Sequence, residues 1–97
     1  VTNTPEEHKA ELANYLDGFA KNVRRLREEH DPPWSQTDLY DAARLHRTEV
    51  GRIEAAETEP RLATLHILAA ALGVPLDALI KDLPVPVMRR PPPTRRR

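Results

Sequence analysis

The sequence predicts a small all-α domain built around two short helices joined by a tight turn, and three observations carry that expectation. Apolar side chains recur at intervals of three and four through separate segments, prolines, glycines and capping residues divide the segments, and no stretch shows the two-residue alternation of a strand. The most informative segment is Ser35 to Ile53, SQTDLYDAARLHRTEVGRI. Its first helix presents Leu39, Ala42 and Ala43 on one face, its second presents Val50 and Ile53, and Leu45 fills the turn.

Each element has its own local cause. Thr4, Pro5 and Glu7 make a helix start, with Thr4 as the cap, proline at the first helical position and Glu7 placed to complete a capping box. Leu12, Leu16, Phe19, Val23 and Leu26 then draw one apolar seam along a helix reaching about Glu29. Gly18 is its weak point, because an interior glycine costs roughly 0.5–1 kcal/mol against alanine, but a single long helix is the expected outcome. Asp31, Pro32 and Pro33 end it, since proline lacks an amide donor and displaces the residue before it from helical geometry. Trp34 is placed to lid the core.

Ser35 caps the second helix, and Asp38 can return the bond to the Ser35 amide. After the third helix, about residues 47–55, the connector EAAETEP leads to a fourth from Arg61 to Leu72, with Leu62, Leu65, Leu68 or Ala69, and Leu72 at helical spacing. Gly73 stops it, and Leu76, Leu79 and Ile80 predict a short fifth helix. From Leu83 onward five prolines and five arginines describe an extended, disordered tail with nothing to bury. The expected division is an N-terminal helical extension over 1–17, a folded domain over 18–82 and a tail over 83–97.

Composition narrows the function. The 97 residues hold no cysteine, which removes disulfides, thiolate metal sites and cysteine nucleophiles and fits a reducing cytoplasm. His8, His30, His46 and His66 never share a helix at i, i+4, so no metal and no cofactor are expected. No apolar run approaches the roughly 18–20 residues of a membrane span, which predicts a soluble protein. Fifteen basic residues balance fifteen acidic ones, yet residues 1–88 hold ten basic and fifteen acidic, a net of −5. A duplex-binding surface gains affinity by displacing phosphate counterions, so binding would rest on one locally cationic face. Arg44, Arg47, Arg52 and Arg61 are the cations available for it.

The span from about Val23 to Ile80 resembles the phage repressor and Cro-like helix-turn-helix family, the XRE family. The resemblance rests on RRLRE at Arg24–Glu28, Ser35 and Gln36 with Leu39, the turn at Leu45, Val50 with Ile53 and Glu54, and the closing run Pro60, Leu62, Leu65, Ala69, Ala71, Leu72, Gly73, Val74, Leu76, Leu79. It implies a five-helix, lambda-repressor-like domain whose third helix enters the major groove of double-stranded DNA. Gln36 would hold a phosphate and brace that helix, His46 would cap it, and Arg47, Thr48 and Arg52 would face bases or backbone. Arginine can donate two parallel bonds to guanine and threonine can offer its methyl to thymine. Glu49 would accept from a cytosine amine or pair with an arginine of its own chain. Glu54 would pair with Arg24 or Arg27 of the first helix.

Four departures accompany the resemblance. Arg44 stands where glycine is usual and must take a positive φ or shift the turn. Tyr40 replaces a small residue at a close helix crossing, Gly51 weakens the third helix, and the acidic connector replaces basic residues. The expected function is a transcriptional regulator reading half-sites as a homodimer, through the last helix (Leu76, Leu79, Ile80) or the N-terminal seam (Leu12, Leu16). The arginine-rich tail would either follow the duplex as a flexible arm or serve only as a solubilising end. The alternative function is a protein-interaction or antitoxin-like module on the same fold, with little or no DNA binding. No enzyme is expected: Asp38 with Asp41 and Glu54 with Glu57 are carboxylate pairs without a pocket-forming segment or phosphate loop.

Overall fold

The computed structural model describes residues 5–85. Four α-helices follow one another, α1 (Pro5–Glu28), α2 (Gln36–Ala43), α3 (Arg47–Glu54) and α4 (Leu62–Leu72), and a 3-10 turn, Leu76–Leu79, closes the fold. The Thr4 cap and the tail beyond Val85 lie outside the described residues, as does the side chain of Glu7. No helix among the described residues is long and apolar enough to cross a membrane.

The α1 seam separates into two parts. Phe19, Val23 and Leu26 are buried with Leu39 of α2, Val50 and Ile53 of α3, Leu68, Ala69 and Leu72 of α4, and Leu79. Leu12 and Leu16 remain half-buried. Trp34 packs against this core as its sequence position suggests, and its ring stacks on His30 with centroids 3.8 Å apart.

Three helices end in one hydrogen-bond pattern, a left-handed residue followed by an amide that reaches back five residues. In α2 the residue is Arg44 (φ 56°), with Leu45 N donating to Tyr40 O at 3.1 Å. After α3 it is Ala56 (φ 59°), with Glu57 N donating to Arg52 O at 2.9 Å. After α4 it is Gly73 (φ 72°), with Val74 N donating to Ala69 O at 3.0 Å. The pattern satisfies carbonyls left open at a helix end. Glycine occupies it without steric cost, whereas Arg44 and Ala56 each carry a penalty of about 1 kcal/mol.

The expected fifth helix is corrected to a single 3-10 turn of four residues. Its bonds span three residues, Ala78 N to Pro75 O and Ile80 N to Asp77 O, and Asp82 at φ 63° ends any continuation. At three residues per turn Leu76 and Leu79 eclipse one another. Both therefore meet the core, while Ile80 is turned outward and stays 41% exposed.

Gly18 does not break α1. A Cβ there would lie 2.6 Å from Leu83 Cδ2, so the missing side chain makes the seat of Leu83. Asn22, one turn on, holds the same segment by donating to Leu79 O at 3.0 Å and Lys81 O at 3.3 Å. Gly18→Ala should therefore stabilise a Leu83→Ala background by about 0.5–1 kcal/mol in urea unfolding and the native chain by clearly less; equal gains would mean that the two positions do not interact. Ala56→Gly is expected to raise stability by about 0.5–1 kcal/mol while Ala55→Gly lowers it, a difference in sign that thermal melts resolve.

Candidate nucleic-acid interface

The turn that presents α3 is built from local bonds. Ser35 Oγ accepts from Asp38 N at 3.1 Å and Asp38 Oδ2 accepts from Ser35 N at 2.8 Å, so α2 starts with the capping box its sequence predicts. At the other end Arg44 takes the left-handed conformation rather than shifting the turn. His46 then caps α3, its Nδ1 accepting from Thr48 N at 3.1 Å.

One guanidinium fixes where α3 sits. Arg27 donates from Nε to Glu54 Oε2 at 2.7 Å, from Nη2 to Glu54 Oε1 at 2.8 Å and from Nη1 to the Trp34 carbonyl at 2.6 Å. Arg27 is 8% and Glu54 5% exposed, so this forked pair is buried. Arg24 is the outer partner, 3.7 Å from Glu54 and itself largely exposed. Gln36 Nε2 donates to Glu54 Oε1 at 3.1 Å, which joins α2 to the same carboxylate. The hydrogen bond to Glu54 raises the Arg27 pKa against the opposing effect of burial, and the charges of Glu54 and Glu28 raise it further. A raised pKa contributes stability that is complete below the unfolded value and is lost as pH rises through the folded one, so the guanidinium keeps its contribution across neutral pH.

The expected contact residues fall around two adjoining hollows. Thr48, Glu49, Arg52 and Arg61 line one, Arg44 and Arg47 line the other with Tyr40, and His46 borders both. Gln36 is exposed and lies beside Glu54 instead. Arg44, Arg47, Arg52 and Arg61 are all exposed, and none makes an ion pair among the described residues. Glu49 is half-buried and also has no arginine partner among them. Tyr40 is half-buried, one side against the core and one side on the hollow.

Two residues of this site were not singled out in the sequence. Thr58 and Thr64 line the first hollow, and Thr64 is 8% exposed on a helix whose other buried residues are all apolar. A lone hydroxyl in LATLHILAAAL was the available signal, hidden by the regular leucine spacing around it.

A short helix whose arginines make no ion pair among the described residues, joined to a second helix across a capped turn, is the arrangement of a DNA-binding regulatory protein of helix-turn-helix type. Residues 23–79 match the model of the Helix-turn-helix family, and the chain belongs to that family. Over 62 residues it is 39% identical to the control protein C.SmaI of Serratia marcescens, spanning 64% of this chain and 71% of that protein. The restriction-modification controller protein C.AhdI from Aeromonas hydrophila superposes with a TM-score of 0.61 at 30% identity, covering 66% of this chain and 94% of that one. A hypothetical transcription factor, NHTF from Neisseria, superposes with a TM-score of 0.64 at 29% identity over 82% of this chain and 84% of its own.

Removing Glu54 isolates the brace. Glu54→Ala should cost about 3–5 kcal/mol in urea unfolding, because it leaves a buried guanidinium without its counter-charge, whereas replacing Arg27 and Glu54 together by methionine and leucine should cost much less. A mild effect of the single change would mean that the pair does not hold α3.

Proposed function

We propose that the chain is a sequence-specific transcriptional regulator that places α3 in the major groove and acts as a dimer. One observation carries this reading: the arginines among the described residues divide into two sets. Those of α1 are engaged within the fold, Arg25 with Glu29 at 3.1 Å and Arg24 and Arg27 with Glu54. Those at the turn, on α3 and at the head of α4 (Arg44, Arg47, Arg52, Arg61) have no such partner among the described residues. Arg47 and Arg52 then serve as the base-reading side chains, with Thr48 and Glu49 beside them and Gln36, Arg44 and Arg61 toward the backbone. His46 keeps the start of α3 in register. Dimerisation supplies the second recognition helix that tight binding requires. The names of two relatives, a control protein and a restriction-modification controller, support regulation of transcription and make a restriction-modification operon the first place to seek the site.

The second reading is a protein-interaction or antitoxin-like module, and the net charge of −5 over residues 1–88 favours it. Selection from a random-sequence duplex pool at low salt separates the two. The native chain is expected to enrich a two-fold symmetric site, and Arg47→Ala with Arg52→Ala to lose that enrichment, at about 1–3 kcal/mol for each arginine that reads a base. Enrichment unchanged in the double variant would remove both arginines from the reading set. If the native chain enriches nothing, the partner-binding reading takes its place.

A further inference from the structure

We infer that Gly51 is a specificity-determining residue of α3, a gap in the reading face that seats the C5 methyl group of a thymine. This rests on the DNA-binding reading above and adds one base that the bound site contains.

The chain has three glycines, and the fold accounts for two of them. Gly18 leaves room for Leu83, and Gly73 takes the left-handed φ of 72° that ends α4. Gly51 does neither: it keeps a helical backbone, and a Cβ built on it would meet nothing within 4 Å. It is also the fifth of only eight residues in α3, where glycine costs more than any residue except proline. A position that weakens a short helix and relieves nothing inside the chain points to what the helix meets outside it.

With 3.6 residues per turn, Gly51 lies about 40° around α3 from Arg47 and about 60° from Thr48, between the two. The buried residues Val50, Ile53 and Glu54 hold the other side of the helix. Arg47 lines one hollow and Thr48 and Arg52 line the other, so position 51 falls in the middle of the proposed reading face. Gly51 offers a base no polar group. Its carbonyl accepts from Ala55 N at 3.0 Å, and as the fifth residue it lies past the amides that a helix start leaves unpaired. What remains outward is the bare Cα and the space that a side chain would fill. Such a notch takes an apolar protrusion, and the C5 methyl of thymine is the apolar group that base pairs present on the major-groove edge. Arg47 and Thr48, each one turn earlier, flank the notch, and the absent side chain lets the backbone come closer to the base.

The duplex that the native chain selects provides the test. Native and Gly51→Ala chains are titrated against it and against duplexes in which each thymine in turn is replaced by uracil, which lacks only the methyl. At one thymine of a half-site, uracil should weaken the native chain about fourfold, the worth of one buried methyl. Gly51→Ala should bind the thymine duplex about tenfold or more weakly, because its own methyl claims the same space, and uracil at that position should restore most of the loss. Thermal unfolding without DNA should show the same variant more stable by about 4–8 °C, which separates a lost contact from a lost fold. A Gly51→Ala chain that binds the thymine duplex as tightly as the native one, a loss that uracil relieves at no thymine, or a variant less stable than the native chain would each overturn the inference. Any of these, with the native chain still enriching its site, leaves the DNA-binding reading standing. A native chain that enriches no site removes both.

Discussion

The placement of α3 depends on the carboxylate of Glu54. Three segments converge on it and its partner: Arg27 brings α1, the Trp34 carbonyl brings the α1–α2 connection, and Gln36 brings the first residue of α2. A buried ion pair of this kind is a poor source of net stability, because desolvating both charges consumes most of what their attraction returns. Its value is in direction. A forked pair tolerates little displacement, so it fixes the roll and height of a helix whose other buried contacts, Val50 and Ile53, are non-directional.

That constraint matters because α3 has little stability of its own. Eight residues are well short of the length at which an isolated helix persists in water, and Gly51 lowers the propensity further. Nothing in the fold requires glycine there, since a Cβ at position 51 would meet nothing within 4 Å. The helix is therefore held by His46 at its start, two apolar anchors in its middle and Glu54 at its end. Arg47 and Arg52 make no ion pair among the described residues, so on the proposed reading they and Thr48 can meet a ligand without loosening the body.

Much of this was legible in the sequence because its causes are local. The Ser35 and Asp38 box and the end of α4 at Gly73 follow from side chains within a few residues of the bonds they make, whereas the His46 cap and the choice at Arg44 between a positive φ and a shifted turn came from the family resemblance. The pairing of Glu54 with α1 was reached through family resemblance, because periodicity has no means of choosing among Arg24, Arg25 and Arg27. What escaped local reasoning was set by distance along the chain. Gly18 reads as a weak helix position until Leu83, far away in sequence, is found in the space it leaves. The closing turn reads as an α-helix from its leucine spacing, but three residues per turn place Leu76 and Leu79 on the core and leave Ile80 outside. The apolar spacing of α4 likewise marks a core helix and cannot say that one side of it stays uncovered.

The acidic balance of the chain takes a different meaning once the partners are assigned. Asp17, Glu29 and Glu54 are neutralised by arginines or lysine within the fold. The acids at the proposed reading surface are Glu49 and Glu59 on the hollow that holds Arg52 and Arg61, and Asp41 on the hollow that holds Arg44 and Arg47. On the proposed reading these carboxylates repel any phosphate backbone, whatever its sequence, while a cytosine amine in the right place can satisfy Glu49. Repulsion that is uniform across sequences and relieved only at a matching site lowers non-specific affinity more than specific affinity, which is the ratio that decides occupancy among many competing sites. A net-negative body is then compatible with a DNA reader, provided that free arginines and a second copy restore the affinity that the charge takes away.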